Sequence, residues 1–272
     1  MLSMPSPHST NAPSNHTLSY AERATLCTHP VSKKLFTIME EKKSNLAVAA
    51  DVRTKAELLA LADAVGPHIC MLKTHIDIID DFDQDLITQL KQKAQEHTFL
   101  ICEDRKFADI GSTVQAQYAG GVYRIAEWAD IIIAHAIAGP AIIDALAACN
   151  PHCALLLLTQ MSSKDNLIDA TYTRKACAWA AAYSQNVIGI IGQDAQVPHA
   201  FQLKCTPGVN LHSKGDAQGQ QYTTPEHMIA KMMTDIIIVG RGIYQSADPT
   251  TTAQTYQAAG WAAYQKQLNV VS

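Results

Sequence analysis
The chain contains eight short apolar runs, and this series constrains the fold more than any other feature of the sequence. Most of the runs are continuously apolar and do not alternate with polar residues, which is typical of parallel strands buried on both faces. Amphipathic segments of helical character separate them. The pattern predicts an α/β fold, the closed (β/α)8 TIM barrel. The eight runs are Leu46–Asp51, His68–Lys73, Thr98–Cys102, Ile131–His135, Ala154–Thr159, Val187–Ile191, Phe201–Cys205 and Ile236–Val239.

The amphipathic segments between the runs complete the barrel pattern. The structural rival is an open doubly wound sheet, which seldom needs eight parallel strands. No G-x-G-x-x-G motif follows the first run, which weakens the dinucleotide-binding version of that rival. The predicted helices are Lys55–Val65, Asp83–His97, Gly111–Trp128, Pro140–Cys149, Tyr172–Gln185, Pro225–Met233 and Thr252–Leu268.

Two segments precede the first apolar run. Residues 18–44 are predicted to form a helical extension that closes the barrel floor. Residues 1–17 are rich in Ser, Thr, Asn, Pro and His, and this composition predicts a disordered tail. We therefore expect a single barrel domain over residues 18–272.

The composition is that of a globular protein, with 47% hydrophobic and 17% charged residues. The net charge of -4 leaves no basic stripe of the kind that binds nucleic acid, so we expect no nucleic-acid partner. Neither a signal peptide nor a membrane-spanning run is recognisable. The seven cysteines are irregularly spaced, which fits a reducing compartment, and we expect a cytoplasmic protein.

A barrel enzyme carries its functional groups at the carboxyl ends of the strands. Polar residues stand at these ends here, most densely in the segment Glu103–Gly111. On an extended backbone Asp104 and Lys106 point to the same side. Charges packed beside an apolar strand are costly unless they neutralise each other and serve a site. The candidates at the strand ends are Asp51, Lys73, Asp104, Lys106, His135, Gln160, Ser162, Gln193, Pro207 and Arg241.

A phosphate site is predicted after the last two strands. Gly240, Arg241 and Gly242 follow the eighth run and open a predicted short helix, where backbone N–H groups and a guanidinium could hold an anion. The polar connection 208–224 is long, which is typical of a lid over an active site. Gln220 and Tyr222 in this connection offer donors for a phosphate dianion.

Taken together, these segments resemble the eukaryotic-like branch of the orotidine 5'-phosphate decarboxylase family, from about residue 20 to residue 267. The resemblance implies the conversion of orotidine 5'-phosphate to uridine 5'-phosphate in pyrimidine biosynthesis, with no metal and no organic cofactor. The matching motifs are Leu72–Asp77, Glu103–Gly111, Gly121–Asp130, Thr206–Val209, Lys214–Asp216, Gly219–Tyr222 and Ile237–Gly242.

The family's D-x-K-x-x-D signature is matched by Asp104, Lys106 and Asp109. The resemblance implies that Lys106 donates a proton to C6 of the substrate between the two acids, and that Lys73 completes the catalytic array. It further implies a homodimer in which three residues of one subunit reach the partner's site: Asp109, Ile110 and Thr113.

The resemblance also implies the substrate contacts. Asp51 and Lys73 would bind the ribose hydroxyls, Ser162 the pyrimidine edge, and Pro207 would line the base pocket. The phosphate would be held by Gln220, Tyr222 and Arg241.

Two residues depart from the family pattern. Gln160 stands where the family often has Glu, and Ala136 replaces the glycine after His135. One alternative is a Mg²⁺-dependent sugar-phosphate decarboxylase or lyase of the same barrel superfamily, for which sensitivity to a chelator would be evidence. The other is a ligand-binding relative without activity, which should lack a charged member of the array, and none is missing.

Overall fold
The computed structural model describes residues 17–152, 154–211 and 223–271. Its eight strands are all parallel and close into a barrel in sequence order, with β1 paired to both β2 and β8. This confirms the predicted (β/α)8 barrel. The predicted tail lies outside the described residues except for Thr17. The strands are β1 (Leu46–Ala50), β2 (Met71–Thr74), β3 (Leu100–Phe107), β4 (Ile131–His135), β5 (Ala154–Leu158), β6 (Val187–Ile191), β7 (Leu203–Thr206) and β8 (Ile236–Val239).

Helices surround the barrel, and side chains cap several of their first turns. Thr54 caps one helix in a capping box with Glu57, and Asp83 caps the next through the N–H group of Leu86. Among the described residues, no helix is long and apolar enough to cross a membrane. The helices are α1 (Tyr20–Leu26), α2 (Pro30–Lys42), α3 (Lys55–Val65), α4 (Gln84–Glu96), α5 (Gly111–Ala119), α6 (Ala141–Cys149), α7 (Ala170–Ala182), α8 (Arg241–Tyr244) and α9 (Pro249–Val271).

Strand β3 is longer than the apolar run that predicts it. The run ends at Cys102, whereas the strand continues through the charged segment to Phe107. Its pairing with β4 shifts between Glu103 and Phe107, and Lys106 has a positive φ of 49°. This bulged extension places Asp104 and Lys106 at the mouth of the barrel, where Asp104 contacts both Lys106 and Lys73.

Helix α5 is shorter than predicted. The predicted helix reached Trp128, but α5 ends at Ala119 and a 3₁₀ turn follows at Ile125–Glu127. Gly121 and Arg124 lie in the left-handed region with φ of 63° and 45°, which a helix cannot accommodate. The predicted helix Pro225–Met233 is a short π-helix, His227–Lys231.

The first and last helices meet beneath the barrel. The rings of Tyr20 in α1 and Tyr264 in α9 stack at 3.9 Å. The Tyr20 hydroxyl donates to the carbonyl of Asp235 at 3.0 Å, and Arg23 forms a buried ion pair with the Asp235 carboxylate. Because Asp235 directly precedes β8, α1 is attached to the amino end of the barrel, as the helical extension was predicted to be.

Candidate active site
A cavity opens at the carboxyl ends of the strands. Its apolar part comes from the barrel interior, including Ile133, Leu158, Ile191 and Ile238. The structure brings eight of the predicted candidates together around it. These are Asp51, Lys73, Asp104, Lys106, Gln160, Ser162, Pro207 and Arg241.

One carboxylate oxygen lies at the centre of the charged part of the cavity. Asp104 Oδ2 is 2.6 Å from Lys73 Nζ and 2.8 Å from Lys106 Nζ. Asp51 Oδ1 lies 3.8 Å from Lys73 Nζ, so Lys73 stands between two acids. Asp104 and Lys73 are only 5% and 7% exposed, and water therefore screens their attraction weakly.

These contacts decide the charge states of the pair. Burial by itself would raise the pKa of Asp104, but the Lys73 ammonium, a hydrogen bond from His75 and the Lys106 ammonium hold it well below its usual range. Burial would lower the pKa of Lys73, and the carboxylates of Asp104 and Asp51 raise it instead. Asp104 is therefore a carboxylate and Lys73 an ammonium at neutral pH.

His75 is a member of this cluster that the sequence did not identify as a site residue. Its Nε2 lies 3.2 Å from Asp104 Oδ2 and 3.1 Å from Lys73 Nζ. The signal was present in the sequence, since His75 stands two positions after Lys73 in an extended segment, and such residues point to the same side.

Glu103 supports the cluster from the other face of β3. It is fully buried, and Thr74 Oγ1 lies 2.7 Å from its Oε2. The backbone N–H of Ile76 donates to the same oxygen at 3.1 Å. Burial raises the pKa of Glu103 to about 8. The side chain thus joins the end of β2, which carries Lys73, to the turn that begins at His75.

Three predicted site residues lie away from the cavity. Asp109 Oδ1 accepts the N–H of Ile110 at 2.8 Å, and Gln117 Nε2 donates to its Oδ2 at 3.4 Å. Ile110 is 62% exposed, and Thr113 is exposed on the first turn of α5. Neither these residues nor Asp109 line the cavity.

The predicted phosphate segment adopts the predicted form. Gly240 precedes α8, a single turn that begins at Arg241, and both residues line the cavity with Gly242. A Cβ added to Gly242 would lie 2.9 Å from the hydroxyl of Tyr256, so the turn packs too closely for a side chain there. Gln220 and Tyr222 lie outside the described residues.

Gln160 at the end of β5 and the loop residues Gln193, Asp194 and Ala195 form a hydrogen-bonded cluster, the Gln160 hub, at the rim of the cavity. Gln160 Oε1 accepts the backbone N–H groups of Gln193, Asp194 and Ala195 at 2.8, 3.1 and 3.0 Å. Gln193 Nε2 in turn donates to the carbonyl of Pro207 at 3.2 Å. The ends of β5, β6 and β7 are joined in this way beside Ser162.

Two groups of possible metal ligands occur among the described residues. Asp63, Glu96 and His97 lie on the outer helices, where Lys93 already contacts Asp63 at 3.0 Å. The second group is His75, Asp77 and Glu103. In this group both Glu103 carboxyl oxygens already have partners, the hydroxyl of Thr74 and the backbone N–H of Ile76.

The chain is similar to known proteins along most of its length. The model of the orotidine 5'-phosphate decarboxylase / HUMPS family matches residues 44–256. An orotidine 5'-phosphate decarboxylase of Schizophyllum commune is 46% identical, with 94% of this chain and 98% of that protein covered. One of Schizosaccharomyces pombe is also 46% identical, over 92% and 97% of the two chains.

Two further comparisons concern a longer protein and a solved structure. A uridine 5'-monophosphate synthase of Bos taurus is 47% identical, and the match covers 93% of this chain but 53% of that protein. The crystal structure of an orotidine 5'-monophosphate decarboxylase from Methanocaldococcus jannaschii, complexed with inhibitor BMP, has the same fold. Its TM-score is 0.62 at 22% identity, with 79% of this chain and 97% of that chain covered. The chain belongs to the orotidine 5'-phosphate decarboxylase / HUMPS family.

Proposed function
We propose that this protein decarboxylates orotidine 5'-phosphate to uridine 5'-phosphate, the activity named for the fungal relatives that it matches over nearly their full length. The observation that carries the proposal is the position of Asp104 Oδ2, which is shared by the ammonium groups of Lys73 and Lys106 at the mouth of the barrel. Membership in the family supports the reaction class, and the charged cluster supports the chemistry described below.

The chemistry requires a cation beside the reacting carbon. Loss of CO2 from C6 of the pyrimidine leaves a lone pair in the ring plane, where the π system cannot delocalise it. A fixed positive charge next to C6 stabilises this carbanion, and a proton delivered at the same point completes the reaction. Lys106 supplies both as one ammonium group, and the reaction then needs neither a metal ion nor an organic cofactor.

The array around Lys106 holds that ammonium in place. Asp104 contacts Lys106 at 2.8 Å and ties it to Lys73. Asp109 of the partner subunit would complete the alternating array, entering with Ile110 and Thr113 in a homodimer. Ile110 is exposed, and none of the three residues lines the cavity formed by its own chain. Both observations support this arrangement.

The remaining cavity residues hold the substrate in this proposal. Asp51 and Lys73 bind the ribose hydroxyls, since they lie together at the ends of β1 and β2. Ser162 binds the pyrimidine edge and Pro207 lines the base pocket. The phosphate is held by Arg241, together with Gln220 and Tyr222.

We also propose that residues 18–272 form one catalytic domain and that the protein acts in the cytoplasm. The family match to residues 44–256 supports the first proposal. The six cysteines in the described part of the chain are free, which fits a reducing compartment.

The test is incubation of the purified protein with orotidine 5'-phosphate, with and without a chelator. Formation of uridine 5'-phosphate and CO2 at the same rate in both samples is the expected result. Loss of turnover in the chelator, restored by added Mg²⁺, would favour the metal-dependent alternative. Binding of the nucleotide without CO2 release would indicate an inactive ligand-binding relative.

A further inference from the structure
Gln160 organises the loop that follows β6. Its Oε1 accepts three consecutive backbone N–H groups, from Gln193, Asp194 and Ala195, at 2.8–3.1 Å. Backbone N–H groups that converge on one side-chain oxygen fix the path of a loop, because each of them would otherwise need another partner. Gly192 permits the close approach, since an added Cβ would lie 3.2 Å from Gln160 Oε1 and 2.7 Å from Thr159 Oγ1.

The other end of the Gln160 amide faces an acid. Gln160 Nε2 donates to Asp194 Oδ1. An amide is both a donor and an acceptor, whereas an ionised carboxylate only accepts. A glutamate at position 160 would keep the bonds from the three N–H groups but would place its second oxygen against the Asp194 carboxylate. The amide at position 160 and the carboxylate at position 194 are therefore a matched pair, in which one group donates and the other accepts.

The hub is connected to the wall of the cavity. Gln160 lines the cavity itself, two residues before Ser162. Gln193 Nε2 donates to the carbonyl of Pro207 at 3.2 Å, and Pro207 lines the same cavity. A shift of the loop after β6 would move this part of the wall.

We propose that Gln160 is a positioning residue whose amide, matched to Asp194, holds the loop after β6 and thereby the cavity wall on which the pyrimidine ring binds. This rests on the proposed function for the identity of the ligand. The coupling between positions 160 and 194 does not depend on it. A glutamate at position 160 is incompatible here with Asp194.

The test compares four variants with the wild type. Gln160→Glu places two carboxylates against each other, at positions 160 and 194. Asp194→Asn leaves an amide whose oxygen can still accept from Gln160. The double variant Gln160→Glu/Asp194→Asn exchanges acid and amide. Gln254→Glu adds the same charge to an exposed position of α9, outside the loop after β6, and is the control for the added charge. For each protein the measurements are kcat and KM for orotidine 5'-phosphate, Kd for uridine 5'-phosphate, and the thermal midpoint without nucleotide.

Gln160→Glu is expected to raise KM and Kd by about threefold to tenfold, as the loss of one ordinary hydrogen bond predicts for an exposed partner such as Asp194, while kcat changes far less. Its midpoint without nucleotide should fall by on the order of 2–4 °C. The double variant should recover both properties, because the amide at 194 can donate to the carboxylate at 160. Asp194→Asn and Gln254→Glu should resemble the wild type.

Equal defects in Gln160→Glu and in the double variant would overturn the proposal, as would a Gln160→Glu protein that matches the Gln254→Glu control. If the wild type does not turn over orotidine 5'-phosphate, the proposed function fails by itself. The midpoints without nucleotide still decide the proposal in that case, since recovery in the double variant supports the matched pair and its absence refutes it.

Discussion
Glu103 and Asp104 are consecutive buried residues of β3, and their pKa values are shifted in opposite directions. Asp104 faces the cavity and the ammonium groups of Lys73 and Lys106, which favour its ionised form. Glu103 faces a hydroxyl and a backbone N–H of the β2 turn, and its burial favours the neutral form. The alternation of a strand thus separates a charged face toward the cavity from an uncharged supporting face one residue away.

Glu103→Gln should flatten the dependence of stability on pH. The pKa of Glu103 is raised in the folded protein from 4.5 to about 8, so the stabilisation by the protonated form is complete below about 4.5 and is lost as the pH rises through about 8. Between these values the free energy of unfolding of the wild type should fall by about 1.4 kcal/mol per pH unit relative to the variant. Denaturant unfolding at several pH values measures this difference. Parallel curves for the two proteins would contradict a neutral Glu103, and Glu127→Gln, at an exposed side chain, serves as the control.

Lys106→Ala should abolish decarboxylation without preventing nucleotide binding. The variant loses both the cation beside C6 and the proton donor, so kcat should fall by at least about 1000-fold. Binding of uridine 5'-phosphate, measured by calorimetry, should persist. Lys266→Ala, at an exposed lysine of α9, should behave as the wild type. A Lys106→Ala protein with near-normal kcat would remove Lys106 from the chemistry.

Arg241→Ala should weaken the binding of phosphorylated ligands selectively. A guanidinium that forms a charge-assisted hydrogen bond with phosphate contributes about 1.5–3 kcal/mol, so KM for orotidine 5'-phosphate should rise by at least about tenfold. Orotidine, which lacks the phosphate, should react equally slowly with the variant and the wild type. Arg174→Ala, at an exposed arginine of α7, is the control. Equal losses with both substrates would place Arg241 outside the phosphate site.

Mixing two inactive variants should restore activity if Asp109 serves the partner's site. A heterodimer of Lys106→Ala and Asp109→Ala subunits contains one site with both changes and one site with neither. Random exchange of subunits should therefore recover about a quarter of the wild-type activity. Each variant mixed with itself gives the baseline. No recovery after subunit exchange, verified by native mass spectrometry, would show that Asp109 does not act across the interface.

The fold was predictable because the strands are buried on both faces. Seven of the eight apolar runs agree with the observed strands to within three residues at each end. The exception is β3, whose last five residues, Glu103–Phe107, include four charged ones. Apolar content cannot indicate this part of the strand, because its polar side chains are stabilised by partners elsewhere in the fold, as Asp104 is by Lys73. The prediction extended helix α5 too far because it passed over Gly120 and Gly121, the glycine pair at which the helix ends.

The candidate site was predictable where polar residues directly end apolar strands. Asp51, Lys73 and Arg241 were found in this way, and all three line the cavity. His75 was missed because it lies past the end of β2 and acts beside Asp104 only after the barrel closes. The hydrogen bonds of Gln160 could not be predicted from the sequence either, because its partners are backbone groups of a loop 33–35 residues away.

The stacking of Tyr20 on Tyr264 and the pairing of β1 with β8 have a consequence for biosynthesis. During translation the first strand leaves the ribosome long before its final neighbour exists. Until Tyr264 emerges, the nascent chain exposes one unpaired edge of β1 and the apolar face of α1. Chaperones that recognise such surfaces can therefore bind the chain during most of its synthesis. The β-barrel closes only late in this process.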